Sequence, residues 1–222
     1  MSYRKHFILL ESNPTVFTEL AHGLHLSPEL EFHNVFSLDE PDLLSLIPRP
    51  ALALVLREYS KSGVDEDVVW FKQTINNACG LYGILHAVVT NGAARDFIVP
   101  KSHLASLLTS VEPLRYLDRA AVLEEDEQPE SIYKTIALQG DTEVPENAED
   151  EVDFHYVCFA KSHKNGHLYE LDGDRKGLIE RGALDQDDDV LSERALGVIL
   201  EFIRGVGKDI SFSLLALAPA VN

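Results

Sequence analysis

The sequence predicts a single α+β domain spanning residues 1–222, and three observations carry that expectation. Helix-period apolar stretches and short apolar strands are mixed along one chain. The clearest run of strand signals comes late, after a block of helices. The 222 residues show no internal repeat and no domain boundary, and they suffice to enclose one large core.

Residues 7–10, Phe-Ile-Leu-Leu, predict a short buried strand. Asn13 is placed to cap a helix with Pro14 in its first turn, running through Val16, Phe17, Leu20 and Ala21 to about His25. Pro41 opens a short helix containing Leu43, Leu44 and Leu46, which the Pro48-Arg49-Pro50 break ends. Residues 51–56 are continuously apolar, as a buried strand requires. Residues 79–89 predict a helix buried on most sides, with Leu81, Ile84, Leu85, Val88 and Val89 at helical spacing. Its Gly80 and Gly83 each cost about 1 kcal/mol relative to alanine, so they imply close approach by another chain segment or by a substrate. Asn91-Gly92 supplies a stop. Further helices are expected near 101–109, 112–123 and 129–137.

The stretch 124–153 is acidic, with twelve Asp or Glu and one Lys. Within it, residues 138–152 contain Gly140 and Pro145 and little periodicity, which predicts a long loop, functional or disordered. Strands follow at 156–159 and 167–171, joined through the hairpin turn Lys164-Asn165-Gly166. A helix over 190–203 and a strand over 211–218 complete the chain.

Composition narrows the function classes. A formal net charge of −18 argues against a nucleic-acid partner, because phosphate binding needs basic patches. It suits a partner that presents positive charge, or it serves solubility alone. No apolar stretch is long enough to span a bilayer. The N-terminal apolar run is too short for a signal-peptide core, so the chain is expected in the cytoplasm, with the nucleus open. Two cysteines, Cys79 and Cys158, build no disulfide framework and are expected as thiols. The sequence has neither His-Glu-x-x-His nor paired Cys-x-x-Cys, so no zinc site, and no metal or cofactor, is expected.

The run Gln73-Thr74-Ile75-Asn76-Asn77-Ala78-Cys79-Gly80 sets a cysteine at a helix start, with an amide side chain six residues before it. A helix N-terminus or an adjacent imidazolium favours the thiolate, which is the nucleophilic form. Alone, such a cysteine reads more readily as a small core residue than as a nucleophile. His155 opens a strand beside the acidic stretch, where it could exchange protons with a thiol or sit as a polar edge residue. Asp172 ends the neighbouring strand, where it could orient that imidazole or serve the turn before Gly173. Hairpin pairing brings the His155 and Asp172 ends together, and the ordered set is more specific than any member.

These residues resemble the ubiquitin C-terminal hydrolases, a papain-like cysteine peptidase family. The resemblance rests on the Gln73-to-Gly80 run, on Asp153-Phe154-His155, and on Gly166-His167-Leu168-Tyr169-Glu170-Leu171-Asp172-Gly173. It extends to Leu10-Glu11-Ser12-Asn13-Pro14, to Ile47-Pro48-Arg49-Pro50, and to Phe212-Ser213-Leu214-Leu215-Ala216-Leu217-Ala218, covering essentially the whole chain. It implies a central antiparallel sheet flanked by helices, with a knotted backbone. It implies Cys79 as nucleophile, His155 as general base and acid, Asp172 as its orienting partner, and Gln73 as oxyanion donor beside the Cys79 backbone N–H. His155 and Asp172 are seventeen residues apart, two more than the family's spacing; the extra residues fall in the hairpin turn, and an even change preserves strand parity.

The same resemblance implies that 138–152 is a crossover loop above the active site, restricting leaving groups to small adducts and short or unfolded peptides. Leu10, Glu11, Ser12, Asn13 and Phe154 match positions that contact ubiquitin. The implied substrate is a bond after ubiquitin's C-terminal glycine, whose basic tail suits the acidic charge. NEDD8 as the modifier, or ubiquitin binding without turnover, are the alternatives. Because the chain ends soon after its last strand, it lacks the C-terminal extension of some relatives, and a monomer is expected.

Overall fold

A computed structural model describes residues 3–57, 68–139, 155–206 and 212–221. The elements run β1 (Lys5–His6), α1 (Pro14–Gly23), β2 (Leu30–Asn34), α2 (Pro41–Leu44), β3 (Ala53–Arg57), β4 (Ile75–Asn76), α3 (Cys79–Thr90) and α4 (Gly92–Asp96). They continue with α5 (His103–Val111), α6 (Tyr116–Glu125), α7 (Glu127–Ala137), β5 (Tyr156–Lys161), β6 (His167–Leu171), β7 (Ile179–Ala183), α8 (Glu193–Val206) and β8 (Leu214–Pro219).

A six-stranded sheet in the order β2-β8-β3-β5-β6-β7, antiparallel at every pairing, forms the middle layer. Its central strands β3, β5 and β8 are apolar at successive positions because both faces are covered. Side chains alternate between the faces. Val55, Tyr156, Cys158, Leu215 and Leu217 join the core built with α1, α3, α5 and α7. Leu54, Leu56, Val157, Phe159 and Ala216 join a second core against α8, with Ala195, Leu196, Ile199 and Phe202. The expected α+β class and flanked antiparallel sheet are both present. The crossover loop expected over 138–152 lies outside the described residues from 140 onward, and so does Phe154.

Three local expectations are corrected. Residues 7–10 do not form a strand. The short parallel pair β1–β4 ends at His6 opposite Asn76, with Phe7 N–H donating to the Asn76 carbonyl. Beyond it, tyrosine hydroxyls take over backbone carbonyls: Tyr133 donates to Ile8 O at 2.7 Å and Tyr156 to Leu10 O at 3.0 Å. Asn91 does stop α3, but not as a left-handed cap before glycine. Its backbone is extended (φ −83°, ψ 126°), and its Oδ1 accepts from Ala93 and Ala94 N–H, so it caps α4 directly. Strands β2 and β7 were not expected; both are edge strands, where half-polar sequences are stable because pairing comes from the neighbour.

Candidate active site

Three elements converge at one end of the sheet. Cys79 is the first residue of α3, whose twelve residues are all buried, and no side chain caps that helix start. Gly80 and Gly83 are explained by packing. A Cβ on Gly80 would lie 2.9 Å from the Leu10 side chain, and one on Gly83 would lie 3.1 Å from Val55 on β3. Close approach therefore comes from chain segments, which press the nucleophile's helix onto the sheet. Ahead of the helix, Asn77 adopts a left-handed conformation (φ 57°), which asparagine tolerates better than most residues.

The hairpin supplies the other two groups. Pairing of Cys158 with Leu171 places Asp172 beside Val157, two residues from His155. His155 Nε2–H donates to Asp172 Oδ1 at 2.5 Å. That leaves Nδ1 for the Cys79 thiol, which acts on the ring's protonation together with Asp172. Burial alone would lower the His155 pKa. The hydrogen bonds to Asp172 and Cys79, together with their charges, more than reverse this and carry it to about 10. Asp172 is fully buried, which favours its neutral form, but the His155 hydrogen bond and charge, the Asp174 N–H and Arg175 hold its pKa below the ordinary value. The site thus favours an imidazolium between a thiol and a carboxylate.

Gln73 lies against the same turn. Its backbone N–H donates to Gly173 O at 2.7 Å. Its Nε2 donates one hydrogen to Ile75 O at 3.2 Å, leaving the second for another acceptor, and its buried Oε1 has no partner among the described residues. Leu10 is wholly buried and its side chain packs on Gly80, so it presents no side chain to a partner. Glu11, Ser12 and Asn13 are half-buried, and the Asn13 side chain accepts from Thr15 N–H at the start of α1.

Sequence patterns did not reveal the support behind Asp172. Arg175 Nε donates to Asp172 Oδ2 at 3.0 Å, while its Nη2 lies 2.7 Å from Glu170 Oε1, close but poorly aligned for a hydrogen bond. Arg181 pairs with Glu170 Oε2. Glu170 and Asp172 are both fully buried and two residues apart, hence on one strand face. The alternation Leu168-Tyr169-Glu170-Leu171-Asp172 carried that signal: two acids on one face of a buried strand require cations nearby. His86, seven residues along α3 from Cys79, is also buried; burial outweighs the Asp172 charge and brings its pKa down to about 4. Cys158 is a second buried free thiol, and burial pushes its pKa far up. Among the described residues, no group of three His, Cys, Asp or Glu side chains could hold a metal ion.

Residues 7–204 match the family model described as ubiquitin carboxyl-terminal hydrolase, family 1. The chain is 35% identical to a ubiquitin carboxyl-terminal hydrolase of Aplysia californica, over 91% of this chain and 97% of the relative. It is 33% identical to ubiquitin carboxyl-terminal hydrolase YUH1 of Saccharomyces cerevisiae, over 95% of this chain and 94% of the relative. In fold it is similar to the catalytic domain of Trichinella spiralis UCH37 bound to ubiquitin vinyl methyl ester. The TM-score there is 0.78 at 22% identity, covering 99% of this chain and 98% of the other.

Proposed function

The chain belongs to the ubiquitin carboxyl-terminal hydrolase family, and from that premise we propose that it is a deubiquitinating thiol hydrolase acting through Cys79. The observation that carries this reading is His155, hydrogen-bonded to Asp172 at 2.5 Å and raised in pKa by that carboxylate together with the Cys79 thiol at the start of α3. Cys79 passes its thiol proton to His155, and the resulting thiolate Sγ, paired with the imidazolium, attacks the carbonyl carbon of ubiquitin's C-terminal glycine. The oxyanion of the tetrahedral intermediate takes hydrogen bonds from the Cys79 backbone N–H and from the second Nε2 hydrogen of Gln73. Protonated His155 gives its proton to the leaving amine as the carbon–nitrogen bond breaks, and a thioester to Cys79 remains. Neutral His155 then takes a proton from water, which attacks the thioester; the sulfur leaves and free ubiquitin is released. Asp172 keeps the ring oriented and stabilises the imidazolium without itself accepting the proton.

Ubiquitin is the proposed partner, and the chain acts as a monomer on small adducts or short peptides. The test is release of fluorophore from a ubiquitin C-terminal amide by wild type and by Cys79→Ala. Turnover by wild type alone is expected. Ubiquitin binding by wild type without turnover would overturn the reading in favour of a binding module. Parallel kinetics on the NEDD8 amide should be slower; faster turnover there would reassign the modifier.

A further inference from the structure

The five residues that lead to the nucleophile, 70–74, are tied on two sides. On one side they lie on the turn after β6: Trp70 Nε1 donates to Asp172 O at 3.1 Å, and Gln73 N–H donates to Gly173 O at 2.7 Å. Lys72 Nζ donates to Gly173 O at 3.0 Å and to Asp174 O at 2.8 Å. On the other side they are held by the nucleophile's own helix. Phe71 N–H donates to His86 Nε2 at 3.0 Å, and Thr74 N–H donates to Tyr82 Oη at 3.2 Å. Tyr82 and His86 are four residues apart on α3 and so project from one helix face. The His86 nitrogen can accept only while the ring is neutral, with its proton on Nδ1, and its burial keeps it so near neutral pH.

We propose that residues 70–74 form a strap that sets the reach of the Gln73 amide to the oxyanion, with Gly173, Tyr82 and His86 as its positioning residues. The inference rests on Gln73 as oxyanion donor in the hydrolase reading above. Its tightest point is Gly173. A Cβ there would lie 3.0 Å from Gln73 Cβ and 3.3 Å from both Gln73 N and Phe71 O, so a larger residue requires Gln73 to give way by a few tenths of an ångström. The strap also joins the oxyanion donor to both other parts of the site, the helix that carries Cys79 and the turn that carries Asp172. Donors to a developing oxyanion lose most of their effect when displaced by about 1 Å.

The experiment is a double-mutant cycle on Gly173→Ala and Gln73→Ala, read with the ubiquitin C-terminal fluorogenic amide. Gln73→Ala keeps the Cβ, so the crowding that Gly173→Ala introduces is the same in both backgrounds, and any difference isolates the amide. Gln73→Ala is expected to lower kcat about 100-fold, and Gly173→Ala on the order of tenfold, with KM nearly unchanged. In the Gln73→Ala background, Gly173→Ala should cost less than about twofold. Tyr82→Phe, which removes only the hydroxyl that accepts from Thr74, should show the same dependence on Gln73 with a smaller loss. The rate of Cys79 alkylation by iodoacetamide needs no oxyanion donor and should stay at the wild-type value in all of these variants. Equal losses from Gly173→Ala with and without the Gln73 amide, or slowed alkylation, would overturn the strap. Absence of turnover by wild type would instead overturn the hydrolase reading.

Discussion

The end of the β5–β6 hairpin and the interior of α3 each bury a histidine within the electrostatic reach of Asp172, with opposite results. His86 takes a backbone N–H from Phe71 and feels the carboxylate only at a distance; burial wins, and the ring stays neutral until about pH 4. His155 touches the carboxylate at 2.5 Å and also feels the Cys79 thiol; these partners outweigh burial, and its pKa rises to about 10. Desolvation disfavours both charged rings, so direct partners decide which of them carries charge. One neutral ring serves as a fixed acceptor, while the charged one is a proton donor poised between nucleophile and orienter.

The largest effect that would sharpen this contrast is on catalysis. His155→Ala should lower kcat/KM on the ubiquitin amide by about 10⁴-fold or more and make Cys79 alkylation near neutral pH far slower. Alkylation at the wild-type rate would break the proposed thiolate–imidazolium pair. Next in size is the support behind the carboxylate. Arg175→Met leaves Glu170 and Asp172 buried with one cation fewer and should cost about 3–5 kcal/mol in urea unfolding. A loss under about 1 kcal/mol would mean that the pair is solvated and not held by the arginine.

A pH series separates the two histidines by sign. His86 has a folded pKa below its unfolded value near 6.5, so the stability linked to it is complete above about pH 6.5. It falls as pH drops from there toward 4, by about 3 kcal/mol in all. His155 has a raised folded pKa, so its contribution is complete below about pH 6.5 and is lost as pH rises through about 10. Urea unfolding of wild type, His86→Leu and His155→Gln across this range should remove the acid dependence in the first variant and the alkaline dependence in the second. The same acid slope in His86→Leu as in wild type would place that titration elsewhere.

The helices carrying strong periodicity and caps were legible from residues alone: Asn13-Pro14 opens α1, and the apolar run after Cys79 is α3. Edge strands β2 and β7 were not: Leu30-Glu31-Phe32-His33 alternates but over only four residues, β7 alternates weakly, and the pairing of both is supplied by β8 and β6. The meeting of His155 and Asp172 was legible because a hairpin turn fixes register over a short distance, whereas the place of Cys79 beside them was implied only by the family resemblance. Arg175 and His86 were not: the two acids on one buried strand face call for a cation but do not say which arginine folds back, and nothing local says that a helical histidine meets a strap fifteen residues earlier.

The sequence by itself determined the α+β class, the chemistry-bearing types and their order, with Gln73 and Cys79 on one short run and His155 and Asp172 on one hairpin. Those features follow from local periodicity and turn geometry, which act over a few residues. Only the tertiary structure decided which histidine is charged, which carboxylates are shared with arginines, and how the Gln73 segment is clamped between α3 and Gly173. Each depends on desolvation and on contacts between residues far apart in the chain, and these exist only once the helices have closed over the sheet.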